Sequence, residues 1–160
     1  MYGLEEKRNQ ILEFLQSLTD EQARTKPSEE SWSILEVIEH LYLIEGFVVQ
    51  QMEKALEKGS DQQAELKPIN RTQGRDYKVE APEYLQPKGQ FKSIQDAKDH
   101  LEKSREQTLF LIHNKDQELL QNRVMPHPAF GDMNLEQWAE FIGWHELRHL
   151  EQMKEIKEVL

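Results

Sequence analysis

Apolar residues recur at helical intervals along four long stretches of the chain. In the first, Leu4, Ile11, Leu15 and Leu18 share one face, which predicts a helix ending near residue 18. Thr19-Asp20-Glu21-Gln22 then reads as a capped short turn of helix, stopped before Pro27. The second opens at SWSILE, where Ser33 is a good N-cap and Glu36, three residues on, completes a capping box. Ile34, Leu41, Val48, Met52 and Ala55 carry its stripe, and Gly59 ends it. The third follows Ser93, with Ile94, Ala97, Leu101, Thr108 and Ile112 at helical spacing, and the fourth begins near Asn134 and runs close to Leu160. No stretch alternates strongly enough to demand a sheet. The expected fold is all-α, a four-helix bundle formed by residues 1–160 as a single domain.

Two irregular segments interrupt this pattern. Ser60 to Gln90 is long for a bundle connection and holds prolines in LKPIN and APEYLQP; a functional cover and an unstructured linker are both open for it. The second, MPHPAFGDMN, leads into the fourth helix.

Composition narrows the function classes. A formal net charge of −10 argues against a nucleic-acid backbone and against an anionic membrane surface as partner. No apolar run approaches the ~20 residues needed to cross a bilayer. The N-terminus, MYGLEEKRNQ, resembles neither a secretory signal nor a transit peptide, so a cytoplasmic protein is expected. Cysteine is absent, which removes thiolate ligands and a protein thiol nucleophile. Any metal here has to be held by His, Asp or Glu.

The chemistry concentrates in HELRH, His145 to His149. On a helix, Trp138, Ile142, His145, His149, Gln152, Ile156 and Val159 fall at alternating intervals of four and three, one seam with both histidines in its middle. Both rings are therefore expected to point into the bundle, where a buried imidazole needs a partner. A shared metal ion satisfies both; hydrogen bonds to neighbouring side chains or water are the alternative. The letters also match the H-E-x-x-H pattern of zinc proteases. That reading fails on geometry, because Gln152 and Glu155 stand where the extended motif has glycine and histidine, and the helix simply continues. A third ligand then comes from upstream, and His40 in EVIEHLYL is the best candidate, about 100° off the stripe of its helix. Three imidazoles leave an open position on a divalent ion, the pattern of a catalytic site. Glu146 is a weak candidate for a general base and otherwise a flank carboxylate or an acceptor steering a histidine. His100, His113 and His127 read as surface or loop residues, Trp32 and Trp138 as packing anchors.

SWSILEVIEHL, APEYLQPKG before a helix, and HPAFGDMNLEQWAEFIGWHELRHLEQM together resemble the DinB-like superfamily, especially its YfiT-like branch, over nearly the whole chain. The resemblance implies an antiparallel four-helix bundle with a long crossover and a metal triad that falls on His40, His145 and His149, holding zinc or nickel. It further implies a homodimer acting on a small-molecule substrate, and a transferase that attaches a low-molecular-weight thiol such as bacillithiol to an electrophile. A hydrolase working through metal-activated water, and a non-catalytic metal-stabilised binding bundle, are the alternatives. The family name is not evidence of DNA binding.

Overall fold

The computed structural model of the chain describes residues 1–75 and 80–160. Along them run α1 (Leu4–Gln16), α2 (Asp20–Arg24), α3 (Ile34–Lys58), α4 (Ile94–His113), α5 (Gln117–Gln121), β1 (Val124–His127), β2 (Gly131–Asn134) and α6 (Leu135–Glu158). Two 3-10 turns, Ile69–Gln73 and Glu83–Leu85, lie in the crossover between α3 and α4.

Helix starts sit where local chemistry puts them. The Ser33 hydroxyl accepts from the Glu36 N–H at 3.1 Å, and the Glu36 carboxylate accepts from the Ser33 N–H at 2.9 Å. Thr19 and Gln22 repeat this box before α2, and Asn134 accepts from the Gln137 N–H at 2.8 Å to start α6. Each contact satisfies N–H groups that the first turn of a helix leaves without an intrahelical acceptor.

Helix directions follow from which ends share a core. Leu4 on α1 clusters with Val48 and Met52 late on α3, Leu111 late on α4 and Ile142 early on α6. Ile11 and Leu15 cluster instead with Ile38 and Leu41, Ala97 and Leu101, and Leu150 and Met153. Thus α1 and α6 run one way, α3 and α4 the other. A 25-residue α3 is about 37 Å long. The crossover has to bring the chain back along that length before α4 can start beside α3, which accounts for its size. Residues 76–79 of that segment lie outside the described residues. Two points of it are tied to α6: Gln137 exchanges two hydrogen bonds with the backbone of Lys67, at 2.9 and 3.0 Å, and Arg148 donates to the carbonyl of Gly74.

Between the two apolar clusters lies a charged layer with one residue from each long helix. Arg8 donates to Glu146 at 2.6 Å and to Glu45 at 3.0 Å; Arg105 donates to Glu45 at 2.9 Å and to Glu146 at 2.7 Å. The third guanidinium nitrogen of each reaches a backbone carbonyl, Arg8 to Leu101 and Arg105 to Leu4, each at 3.1 Å. Thr108 adds a 2.6 Å bond to Glu45. All four charged residues are buried. Two cations and two anions cancel, which is what allows a charged layer in a core at all. Burial works against the charge on Arg105, but Glu146 and Glu45 outweigh it and raise its pKa.

Three expectations are corrected. Residues 124–134 form an antiparallel hairpin, with Val124 opposite Asn134 and His127 opposite Gly131, so the fold carries a small sheet beside its helices. Gly131 supplies the positive φ, 74°, that closes its short loop. The fourth helix does not bury a single seam. Trp138, Phe141, His145, Glu146, Arg148, His149 and Leu150 are all buried, because the crossover and the hairpin cover faces that the bundle leaves open, while Val159 is 67% exposed. Finally, Glu146, read as a flank carboxylate or an acceptor for a histidine, stands instead at the meeting point of the four helices, bound to Arg8 and Arg105. No helix of the described residues is long and apolar enough to cross a membrane.

Candidate metal centre

His40 from α3 and His145 and His149 from α6 come together as a buried group whose donor atoms lie within 4.8 Å of one another. Ring centroids are 5.3 Å apart for His40–His145, 4.8 Å for His40–His149 and 4.4 Å for His145–His149. His40, expected on a shoulder of its helix, is buried, with Leu85 of the crossover against its ring.

Two of the rings have their Nδ1 positions fixed. His40 Nδ1–H donates to the carbonyl of Leu85 at 2.7 Å, and His149 Nδ1–H donates to the Gln152 side-chain oxygen, also at 2.7 Å. Both therefore keep an unprotonated Nε2 available as a ligand, the arrangement by which a second hydrogen bond sets the tautomer of a metal-binding histidine. The Nε2 atoms of His145 and His149 face each other at 3.1 Å. Two nitrogens on one tetrahedral ion, each ~2.0–2.1 Å from it, stand about 3.3 Å apart. The donor set thus fits a divalent ion. Without one, His145 has to place its proton on Nε2 to avoid setting two lone pairs against each other.

Electrostatics keep these rings neutral. Burial lowers the pKa of His40. It lowers that of His145 well below the ordinary value, with His149 and His40 adding to the effect. His149 is brought down to about 3, by burial first and then by the charges of His40, Arg148 and Arg75, against the opposing Gln152 bond. Neutral imidazole is the form that binds metal, so ligation does not have to compete with protons near neutral pH.

Aromatic rings wall the triad. Trp32 lies 5.3 Å from His40 and Phe141 lies 5.5 Å from His145, centroid to centroid. His127, expected on a loop surface, is instead on β1 with its ring against Phe130, Trp138 and Phe141. Its Nδ1 accepts from the Ala129 N–H at 2.9 Å, and burial brings its pKa down to about 4. His100 packs on Tyr42 and Phe91, and His113 is an exposed residue in the last turn of α4.

Glu146 lies outside the group, since both its oxygens accept from arginines. Its place in HELRH is accounted for by the charged layer. Among the described residues no carboxylate joins the three histidines.

A further residue, Glu39, escaped sequence reasoning. It is 2% exposed, and its two oxygens accept from the backbone N–H groups of Lys88 at 2.7 Å and Gln90 at 2.8 Å. The signal in the sequence is a glutamate beside His40 in an otherwise apolar turn, VIEHL.

The sequence pattern of the DinB superfamily matches residues 3–153. YuaE, an uncharacterized protein of Bacillus subtilis strain 168, is 40% identical over 144 residues, covering 90% of this chain and 88% of that protein. Two solved structures share the fold. TT2238, described as a four-helix bundle protein, superposes with a TM-score of 0.62 at 22% identity over 95% of this chain and 93% of the other. YfiT from Bacillus subtilis, described as "a probable metal-dependent hydrolase with an unusual four-helix bundle topology", gives 0.60 at 17% identity over 97% and 82%. The chain belongs to the DinB superfamily.

Proposed function

We propose that this protein is a metal-dependent enzyme that holds a divalent ion, zinc or nickel, on His40, His145 and His149 and uses it to activate a low-molecular-weight thiol for transfer to an electrophilic small molecule. The observation that supports the metal site in this reading is the facing pair of Nε2 atoms at 3.1 Å, with Nδ1 of two of the three rings committed elsewhere. When bound there, a divalent ion supplies Lewis acidity, which lowers the pKa of a thiol or water beside it toward neutrality.

The chain's own residues do the rest. Leu85 and Gln152 hold the rings in the ligating tautomer, and the aromatic wall keeps bulk water away, so charges inside interact strongly. The sulfur has to arrive with the substrate, because the chain has no cysteine. In the transfer the S–H proton would pass to water or leave on the displaced group, the sulfur lone pair would form the S–C bond, and the displaced group would depart with the electrons of the carbon bond that breaks, so no oxidant or reductant is needed. Deprotonating a thiol beside a cation asks for no protein carboxylate. This agrees with Glu146 being bound to arginines.

Metal content of untagged protein, measured by mass spectrometry, is the first test. About one equivalent in the wild type, lost in His149→Ala and His40→Ala, supports the site; wild type that takes up no divalent ion after reloading refutes it. Thiol-dependent turnover lost in His149→Ala then supports transfer. The description of YfiT favours hydrolysis as the second reading, and hydrolysis predicts turnover of an ester or amide that added thiol does not change.

A further inference from the structure

We infer that Glu39 is a positioning residue for the metal centre, acting through the crossover on the tautomer of His40. The inference rests on the three-histidine reading above.

Glu39 and His40 are consecutive on α3 and grip the same short piece of crossover. His40 holds its start, through the carbonyl of Leu85 at 2.7 Å. Glu39 holds its end, through the N–H groups of Lys88 at 2.7 Å and Gln90 at 2.8 Å. Residues 85–90 are thereby a short strap pinned at both ends to one turn of helix. The strap bends at Gly89, whose φ of 77° lies in the region that L side chains rarely adopt. Burying a carboxylate is expensive unless its oxygens are filled, and this one is filled by two backbone donors. Leucine at the same position would serve packing alone. What the carboxylate adds is the fixed position of the strap, and therefore of the one carbonyl that takes the His40 Nδ1 proton. If that carbonyl shifts, the Nε2–H tautomer competes, and the proton then occupies the nitrogen that has to bind metal. Outer partners of this kind typically change metal affinity 10–100-fold (about that range).

Glutamine matches glutamate in shape but offers one acceptor and one donor, so in Glu39→Gln one of the two backbone N–H groups faces an N–H. Gly89→Ala strains the strap from its exposed side, where a Cβ meets no other atom within 4 Å, and leaves α3 untouched. Leu120→Ala, in the other apolar cluster, serves as a control that lowers stability only.

The experiment reads the ring nitrogen shifts of His40 by 15N NMR in metal-free protein, and Zn2+ affinity by chelator competition well below each melting temperature. Wild type is expected to show the Nδ1–H tautomer. Glu39→Gln is expected to show a tautomer mixture, faster amide exchange at Lys88 and Gln90, and Zn2+ affinity lower by about 10–100-fold. Gly89→Ala should move the same way by less, and Leu120→Ala should leave both readouts as in wild type. A wild-type tautomer and affinity in Glu39→Gln and Gly89→Ala overturn the inference, as does an equal loss of affinity in Leu120→Ala. If wild type binds no Zn2+, the proposed function fails. The tautomer of His40 in the metal-free variants still decides the role of Glu39.

Discussion

Replacing Glu146 by alanine removes the shared acceptor of two buried guanidinium groups. The glutamate takes two charge-assisted hydrogen bonds, from Arg8 at 2.6 Å and from Arg105 at 2.7 Å. Each such bond contributes roughly 1.5–3 kcal/mol, so about 3–6 kcal/mol is at stake. Breaking one side of a buried ion pair commonly costs about 3–5 kcal/mol, because the orphaned charge stays in the core. Against a usual stability of about 5–15 kcal/mol, that is a large fraction. With a urea slope near 2 kcal/mol per molar, the unfolding midpoint of Glu146→Ala should fall by roughly 2 M. Removing a balanced pair, Glu45→Met with Arg105→Met, leaves Arg8 and Glu146 matched. Its loss should be smaller than the sum of the two single losses by about 0.5–3 kcal/mol. A loss below about 1 kcal/mol for Glu146→Ala would refute the reasoning, since it would mean that both arginines reach water or another acceptor without effort.

Acid should unfold the metal-free protein earlier than its carboxylates alone require. His40, His145 and His149 have folded pKa values below the unfolded one, His149 at about 3. Below about pH 6.5 the unfolded chain therefore binds more protons than the folded one. Stability from these groups is complete above that pH and is lost as pH falls through the window, by about 1.4 kcal/mol per unit for each neutral ring. Urea midpoints that stay flat between pH 6.5 and 5 in wild type, or that fall equally in a His40→Leu/His145→Leu/His149→Leu triple variant, would contradict this. Gly143 lets α1 lie close to α6, because a Cβ there would come within 2.7 Å of the Lys7 side chain and 3.4 Å of Leu4. Gly143→Val should cost about 1–3 kcal/mol by thermal unfolding. A variant as stable as wild type would show that Lys7 yields freely.

The parts of the fold that depend on near neighbours in sequence were legible. Ser33 with Glu36, Asn134 with Gln137, and Gly59 fix helix ends through contacts within one turn. The hairpin was not legible, because its strands are four residues each. Pro126 interrupts the first of them, and Asn134 closes the second while also capping a helix. The histidine triad was readable as spacing on one helix plus a partner on another. The Nδ1 acceptor of His40 was not, since the Leu85 carbonyl comes from the crossover, whose path no local pattern dictates. The charged layer left a trace that single-helix reading misses. Arg8, Glu45, Arg105 and Glu146 each stand where the apolar spacing of their helix calls for leucine, between Leu4 and Ile11, Leu41 and Val48, Leu101 and Ile112, Ile142 and Leu150. Alone each looks like an interruption; only together do they sum to zero.

The direction of the helices has a consequence for how the molecule is made. Because α1 runs beside α6, the partners of Ile11 and Leu15 include Leu150 and Met153, and Arg8 meets Glu146 across 138 positions of chain. During synthesis at ~5–20 residues per second, the first helix therefore waits several seconds for the last. Over that interval its apolar stripe has only part of its final cover. Contacts this distant in sequence slow folding relative to a bundle whose neighbours follow in order. His145 and His149 of the triad also follow His40 only on α6. The three-histidine group is therefore assembled only once α6 has packed against α3.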